Sequence, residues 1–455
     1  MNKYWFGFSS MLLLWGCAIS VYADTSPPQY QAEPCCQLCP DAQANLKASG
    51  LLQGKDGWLF PVVTSETTME WLGQQDRQHL LTLFVRQMAI KGSQLMLIMP
   101  PPRTLMHANQ QQGNFPAITP DDYHQTLAYF RQAGFLVPDY EKLQPLASSS
   151  ISETFYFKRD PRWTSTGARQ TAELVASAIR QLPLFQKLPE QTFATRVQGW
   201  LKINGTLNHQ AQASCNGLNY PLEYTHHFVT QNTRVSSTET TDDILLIGSR
   251  QSVDKQFNFV GFLQQALSRK VSNRTTTDGE SSIAWMNLLI SAPFQHQPPA
   301  LILWELPYEQ RHLTASLLRQ LVAQVNNGCE SSPALEHSEK TFQGKKLEDL
   351  VFTNRLLKTN PSNLIVDLKL SDPAIEQLLF TIWYSDGGKS DFQIRKNTLS
   401  DNHGRFTFVL GNTSTQQQRF FVALDLSLMG SANGNITVST NVCRLPGKLL
   451  QKTEI

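Results

Sequence analysis

Two short segments concentrate side chains whose types and spacing suit chemistry on a ligand. Residues Leu245-Leu246-Ile247-Gly248-Ser249-Arg250-Gln251-Ser252 read as a buried strand running into a glycine turn. A turn of that shape exposes the next side chains and is where acyl-transfer enzymes place a nucleophile. The second segment runs from Tyr156 to Ala168 and packs Lys158, Arg159, Asp160 and Arg162 into a compact loop. It leads into a helix that Thr164 or Ser165 could cap.

Such side chains need rigid elements behind them. Apolar runs recur at Leu95 to Met99, Ile244 to Ile247 and Leu301 to Trp304, and each ends in turn chemistry: Pro100-Pro101-Pro102, Gly248-Ser249 and Glu305-Leu306-Pro307. Helical stretches such as Gln75 to Lys91, with Asp76 in the first turn, separate them. Unbroken apolar strands between helices predict a parallel sheet buried on both faces, with functional groups at the carboxyl ends of its strands. After about Lys346 the pattern changes to short branched and aromatic runs beginning near Leu364, Leu378, Phe392, Phe406, Phe420 and Ile436, with glycine-containing turns between them. That spacing predicts an antiparallel sandwich or barrel. The expected fold class is an α/β domain over 24–345 followed by an all-β domain over 346–455.

Composition narrows the partners. The chain has 455 residues, 41% hydrophobic and 17% charged, which suits two or three domains with real cores and excludes general disorder. Its 39 Lys and Arg against 37 Asp and Glu leave a formal charge of +2, too little for a global field that would hold nucleic acid. Residues 1–23 read as a signal peptide: Lys3, an apolar stretch from Trp5 to Ile19, and Val21-Tyr22-Ala23 as a cleavage site. Lipoprotein anchoring through Cys17 is the minor alternative. No later stretch has the length of a membrane span, so a soluble exported chain is expected. Cleavage leaves Cys35, Cys36, Cys39, Cys215, Cys329 and Cys443, an even set that favours disulfides over metal binding, because Cys36-x-x-Cys39 lacks a second ligand pair. No metal or organic cofactor is implied.

Ordered landmarks over the mature chain resemble the periplasmic alginate O-acetyltransferases of the AlgX type. They include Tyr30 to Pro40, Asp56-Gly57-Trp58-Leu59-Phe60, Gly205-Thr206-Leu207, Asn258 to Leu263, Pro298 to Glu305, Gly328-Cys329 and Thr381-Ile382-Trp383-Tyr384. The resemblance implies an SGNH-hydrolase-like domain followed by a carbohydrate-binding module. It further implies one disulfide from the amino-terminal cysteine cluster, taken as Cys39, to Cys215 and another from Cys329 to Cys443. The family's chemistry is a Ser-His-Asp triad, with an Asp-x-His loop ahead of a Gly-x-Ser turn. Carried across, the Asp position is Asp160, the His position is Arg162 and the Ser position is Arg250. Asn208 stands where the family has the His of Gly-Thr-Leu-His.

An arginine has no neutral form near pH 7 and offers no usable lone pair, so neither Arg162 nor Arg250 can act as base or nucleophile. Two readings of these arginines stand: they pair with Asp160 and plug the old site, or they bind an anion such as a uronate carboxylate. A repositioned nucleophile at Ser249 or Ser252 is the alternative that keeps acetyl transfer, although a one-residue shift redirects a side chain. Ser249 is expected as a turn hydroxyl bonded to nearby backbone, and His209, His226 and His227 as surface or packed residues.

In the β domain, Trp383, Tyr384, Lys389, Arg395, Lys396 and Arg405 are candidates for a polyuronate surface, rings meeting sugar faces and cations meeting carboxylates. Trp383 could equally fill the sandwich core. The expected role is a periplasmic, catalytically degenerate polymer-binding or scaffold protein of alginate or related exopolysaccharide biosynthesis and O-acetylation. Its partners would be the polysaccharide and other periplasmic or outer-membrane export and modification proteins.

Overall fold

The structure is a computed structural model that describes residues 42–62, 75–113, 118–143, 154–215, 218, 220–233, 243–330, 332–357, 359–396, 403–411, 420–429 and 434–447. The expected signal peptide over 1–23, Cys17 and the cluster Cys35, Cys36 and Cys39 lie outside the described residues.

The apolar runs of the first domain form the predicted parallel sheet. Gln94–Ile98 pairs with Leu301–Glu305, which pairs with Ile244–Ile247, which pairs with the short Ser272–Asn273. Alternate residues point to opposite faces, and both faces are dry. Leu95, Leu97, Leu245, Ile247, Ile302 and Trp304 pack under the helices Gln75–Lys91, Pro120–Gln132 and Ala315–Gln324. Met96, Ile98, Ile244, Leu246, Leu301 and Leu303 pack under Ser165–Arg180 and Phe259–Leu267. Three strands therefore end side by side, and the turns after Ile98, Ile247 and Glu305 share one rim of the sheet.

The carboxyl-terminal domain is a sandwich of two four-stranded antiparallel sheets. One has the order Lys346–Phe352, Phe421–Leu428, Gln377–Tyr384, Lys389–Arg395; the other has Arg405–Val409, Leu364–Leu370, Asn435–Arg444, Ala334–Gln343. Six of these strands begin within three residues of their expected starts. The first two were not foreseen, and Ala334–Gln343, left with the first domain by a boundary at 345, pairs along its length with Asn435–Arg444. Both are edge strands with few buried residues, Phe342 in one and Leu350 with Val351 in the other, so neither carries the longer buried pattern that marks an inner strand.

The expected Cys329–Cys443 bridge is present, with Cα atoms 5.7 Å apart. Cys215 is also disulfide-bonded. The domains share a seam: Arg319 of Ala315–Gln324 donates to the carbonyls of Val409, Leu410 and Gly411 and lies over the Phe392 ring.

Candidate functional site

The strand-end turns and the 154–164 loop enclose a cleft of about 750 Å³ lined by Pro100, Pro102, Arg162, Ser249, Arg250 and Lys255 among others. Its floor is the loop carrying Asp160. Thr164 caps Ser165–Arg180 by accepting from the Gly167 N–H, as its position suggested. Gly205 abuts the loop from the far side; a Cβ there would lie 1.9 Å from the Arg159 carbonyl oxygen, so only glycine permits this approach.

The loop backbone is held by two charged groups that sequence reading missed. Arg103, directly after the Pro100-Pro101-Pro102 turn, donates to the carbonyls of Leu59, Phe157, Lys158 and Asp160. Burial lowers its pKa to about 10. The Glu223 carboxylate accepts from the N–H groups of Lys158 (2.6 Å) and Arg159 (2.9 Å), while burial pushes its pKa up. A charged residue right after a strand-end turn was the available signal for Arg103; Glu223 carried none, because its partners are backbone atoms far along the chain.

Asp160 is fully buried. One carboxylate oxygen accepts from the Arg162 N–H (3.0 Å) and Nε (2.7 Å), the other from Arg162 Nη2 (2.9 Å) and the Thr206 N–H (3.1 Å). Arg162 Nη1 meets Asp254 Oδ2 at 2.5 Å, and the guanidinium lies 5.0 Å over the Phe257 ring. Burial by itself would lower the Arg162 pKa, but the hydrogen bonds and charges of Asp160 and then Asp254 hold it above the ordinary arginine value. The planar fork thus engages both oxygens of the Asp160 carboxylate.

Arg250 departs from the expectation that Asp160 would lie near both arginines. It is exposed, and its Nε donates to the Asp278 carbonyl oxygen at 3.4 Å. Gly279, at φ +76°, makes room for it: a Cβ there would lie 2.6 Å from Arg250 Cγ. The ion-pair plug is Arg162 with Asp160 and Asp254, and Arg250 remains a cation on the cleft wall together with Lys255.

Ser249 and Ser252 are both buried and share one buried partner. Glu305 accepts from the Ser249 N–H (2.7 Å), Ser249 Oγ (2.8 Å) and Ser252 Oγ (2.9 Å). Burial raises the Glu305 pKa, although the Ser249 and Ser252 hydrogen bonds oppose it. Ser249 Oγ also accepts from the Gln251 N–H, the turn-hydroxyl role expected of it. Among the described residues, no histidine lines the cleft. His209 is exposed and His226 stacks on Trp200 with ring centroids 3.8 Å apart, while Asn208 donates to Asn204 at 2.7 Å.

His107 is buried against Trp58, and its Nε2 accepts from the Tyr156 N–H at 3.3 Å. Burial, then the Arg103 charge, lowers its pKa to about 3. The unfolded chain takes up this proton near pH 6.5 and the folded chain does not, so stability should fall as pH drops from about 6.5 toward 3. Replacing His107 with Gln should flatten that part of a urea-midpoint against pH curve; an unchanged slope would place the loss in other groups.

On the sandwich, Trp383 is 38% exposed, which sets aside the core-filling alternative. Its Nε1 donates to Asp425 Oδ2 at 2.8 Å and Lys389 Nζ lies 5.8 Å from the ring centroid. The other candidates do not join it. Tyr384, the next residue along the strand, points into the core and is 3% exposed. Arg405 belongs to the opposite sheet and is bound to Asp367, Glu330 and Asn327 beside the disulfide. Arg395 pairs with Gln377, whereas Lys389 pairs with Trp383, so Arg395 sits at the far end of its strand.

Among the described residues, no group of three or more His, Cys, Asp or Glu could hold a metal ion, and no helix is long and apolar enough to cross a membrane.

Residues 51–308 match the family model described as SGNH hydrolase-like domain, acetyltransferase AlgX, and residues 328–453 match a carbohydrate-binding module, CBM_26. The chain is 29% identical over 450 residues to the alginate biosynthesis protein AlgX of Pseudomonas syringae pv. tomato, covering 92% of this chain and 91% of that protein. It is 26% identical over 313 residues to a Pseudomonas putida protein named "Probable alginate O-acetylase AlgJ", covering 63% and 77%. The solved structure of Pseudomonas aeruginosa AlgX superposes with a TM-score of 0.68 at 25% identity, covering 90% of this chain and 100% of that one.

Proposed function

Because this chain belongs to the AlgX acetyltransferase family, with its SGNH hydrolase-like domain and carbohydrate-binding module, we propose that it serves alginate biosynthesis as a noncatalytic, polymer-binding member. The observation that carries this reading is the closure of Asp160 by Arg162. The carboxylate that should orient a base is consumed by a permanent cation, itself clamped by Asp254. With Arg250 in the nucleophile position, the family's acyl transfer has no base to start it and no hydroxyl to carry the acetyl group. The homologues' names place them in alginate biosynthesis, and that role together with the signal peptide read from residues 1–23 supports a periplasmic location with export and modification proteins as partners.

What is kept is the means of holding polymer. The exposed Trp383 ring, anchored through Asp425 and flanked by Lys389, offers an apolar face to a sugar and a cation to a uronate carboxylate. Titration of the mature protein with mannuronate oligomers should show binding without turnover. Trp383→Ala should weaken binding by about tenfold, since one stacked ring contributes about 1–2 kcal/mol, and should leave the melting temperature unchanged. Tyr384→Ala should instead destabilise the domain by about 3 kcal/mol through loss of a buried ring. Unchanged affinity in the Trp383 variant would remove this face from the polymer site.

A further inference from the structure

Arg395 and Lys396, displaced from the Trp383 face, border a different cavity. It lies at the seam between the domains, holds about 380 Å³ and adjoins the cleft through Gln310, which lines both. The separation of Arg395 from Lys389 along one strand is about 20 Å at the usual rise, so one sugar cannot touch both faces.

The chemistry of this cavity is that of an anion site. Two helices begin on its wall: Ser281–Leu289 contributes Ser281 and Ser282, and Ala315–Gln324 contributes Ser316 with its cap Thr314. The first N–H groups of a helix have no intrahelical acceptors and carry the positive end of its dipole. Ser281 is 8% exposed, lines the cavity, and its hydroxyl has no hydrogen-bond partner among the described residues. That hydroxyl is an uncommitted donor on the cavity wall. Arg395 is exposed and, among the described residues, its backbone and not its guanidinium is engaged: its N–H donates to Ser316 Oγ and its carbonyl accepts from Gln320. Among the described residues, Lys396 Nζ reaches only the Pro373 carbonyl, at 3.3 Å. Glu280 supplies an opposing charge, and the two cations outweigh it.

We infer that the seam cavity binds a carboxylate of the polyuronate chain, as a second anchoring point independent of Trp383. The inference rests on the polymer-binding reading and specifies where a second uronate is held: the carboxylate sits between the Arg395 and Lys396 cations and the starts of the two helices, with Ser281 Oγ as a donor. Both domains contribute to it, so bound polymer crosses the seam.

The test is hydrogen exchange on the full mature chain with and without a mannuronate decamer, against a neutral oligosaccharide of equal length. Slowed exchange is expected in peptides covering 280–284 and 314–318 as well as around Trp383, with the decamer only. Arg395→Gln with Lys396→Gln should abolish the protection at the two helix starts and weaken decamer affinity by about tenfold, as for loss of a charge-assisted contact. In Trp383→Ala the helix-start protection should persist at saturating decamer. Protection confined to the Trp383 strand, or seam protection unchanged in the double variant, would overturn the seam site while leaving the polymer reading intact. No protection anywhere would overturn both.

Discussion

The purified mature protein will transfer no acetyl group from an activated ester to mannuronate oligomers above a heat-killed control, and the variant Arg162→His with Arg250→Ser will. Loss of base and nucleophile together removes on the order of a millionfold of turnover in a triad enzyme, so the wild-type rate should be indistinguishable from background. The scaffold around the two positions is still in place: Glu305 holds the Gly248 to Ser252 turn through three hydrogen bonds, and Arg103 with Glu223 holds the Asp160 loop. With the guanidinium gone, each Asp160 oxygen keeps one backbone N–H, from residue 162 or Thr206, and regains acceptor capacity with which to orient an imidazole at 162. Product can be followed by mass spectrometry of the oligomers. Acetyl transfer by the wild type would sink the noncatalytic reading. A silent double variant that still binds polymer would mean that Asn208, or another departure, has removed a further requirement.

The second large effect is on stability. Arg162→Met should cost about 3–5 kcal/mol, because it leaves the fully buried Asp160 carboxylate with only the N–H groups of residue 162 and Thr206. At a few degrees per kcal/mol for a domain of this size, the melting temperature should fall by roughly 10 °C. Asp160→Asn combined with Arg162→Met should recover part of the loss, since no uncompensated charge remains. The coupling between the two positions, read from the four proteins of a double-mutant cycle in urea, should be well above the 1 kcal/mol ceiling typical of exposed pairs. A loss below about 1 kcal/mol in the single variant would mean that the pair behaves as a surface ion pair and closes nothing.

How far the sequence reached depended on whether a feature is written in neighbouring residues. The parallel sheet was legible because Leu95 to Met99, Ile244 to Ile247 and Leu301 to Trp304 are buried on both faces, and a doubly buried strand must be apolar throughout. The edge strand Ala334–Gln343 was not, because a strand with solvent on one side and no neighbour beyond it can be largely polar. At the site, the identities of Asp160, Arg162, Arg250 and Ser249 were local and the chemistry they forbid followed from arginine's charge alone. The partners were not local. Asp254 meets Arg162 across 92 positions, and Glu305 meets Ser249 across 56.

The sequence by itself determined what Arg162 and Arg250 cannot do, since protonation and nucleophilicity belong to residue types and need no coordinates. The tertiary structure alone decided how they are placed: one arginine folded onto two carboxylates and the other left facing the cleft. It also separated Trp383 from Tyr384, Arg395 and Arg405. The physical reason is that successive residues of a strand point to opposite faces and the two ends of a strand lie far apart, so a cluster in sequence becomes several sites in space.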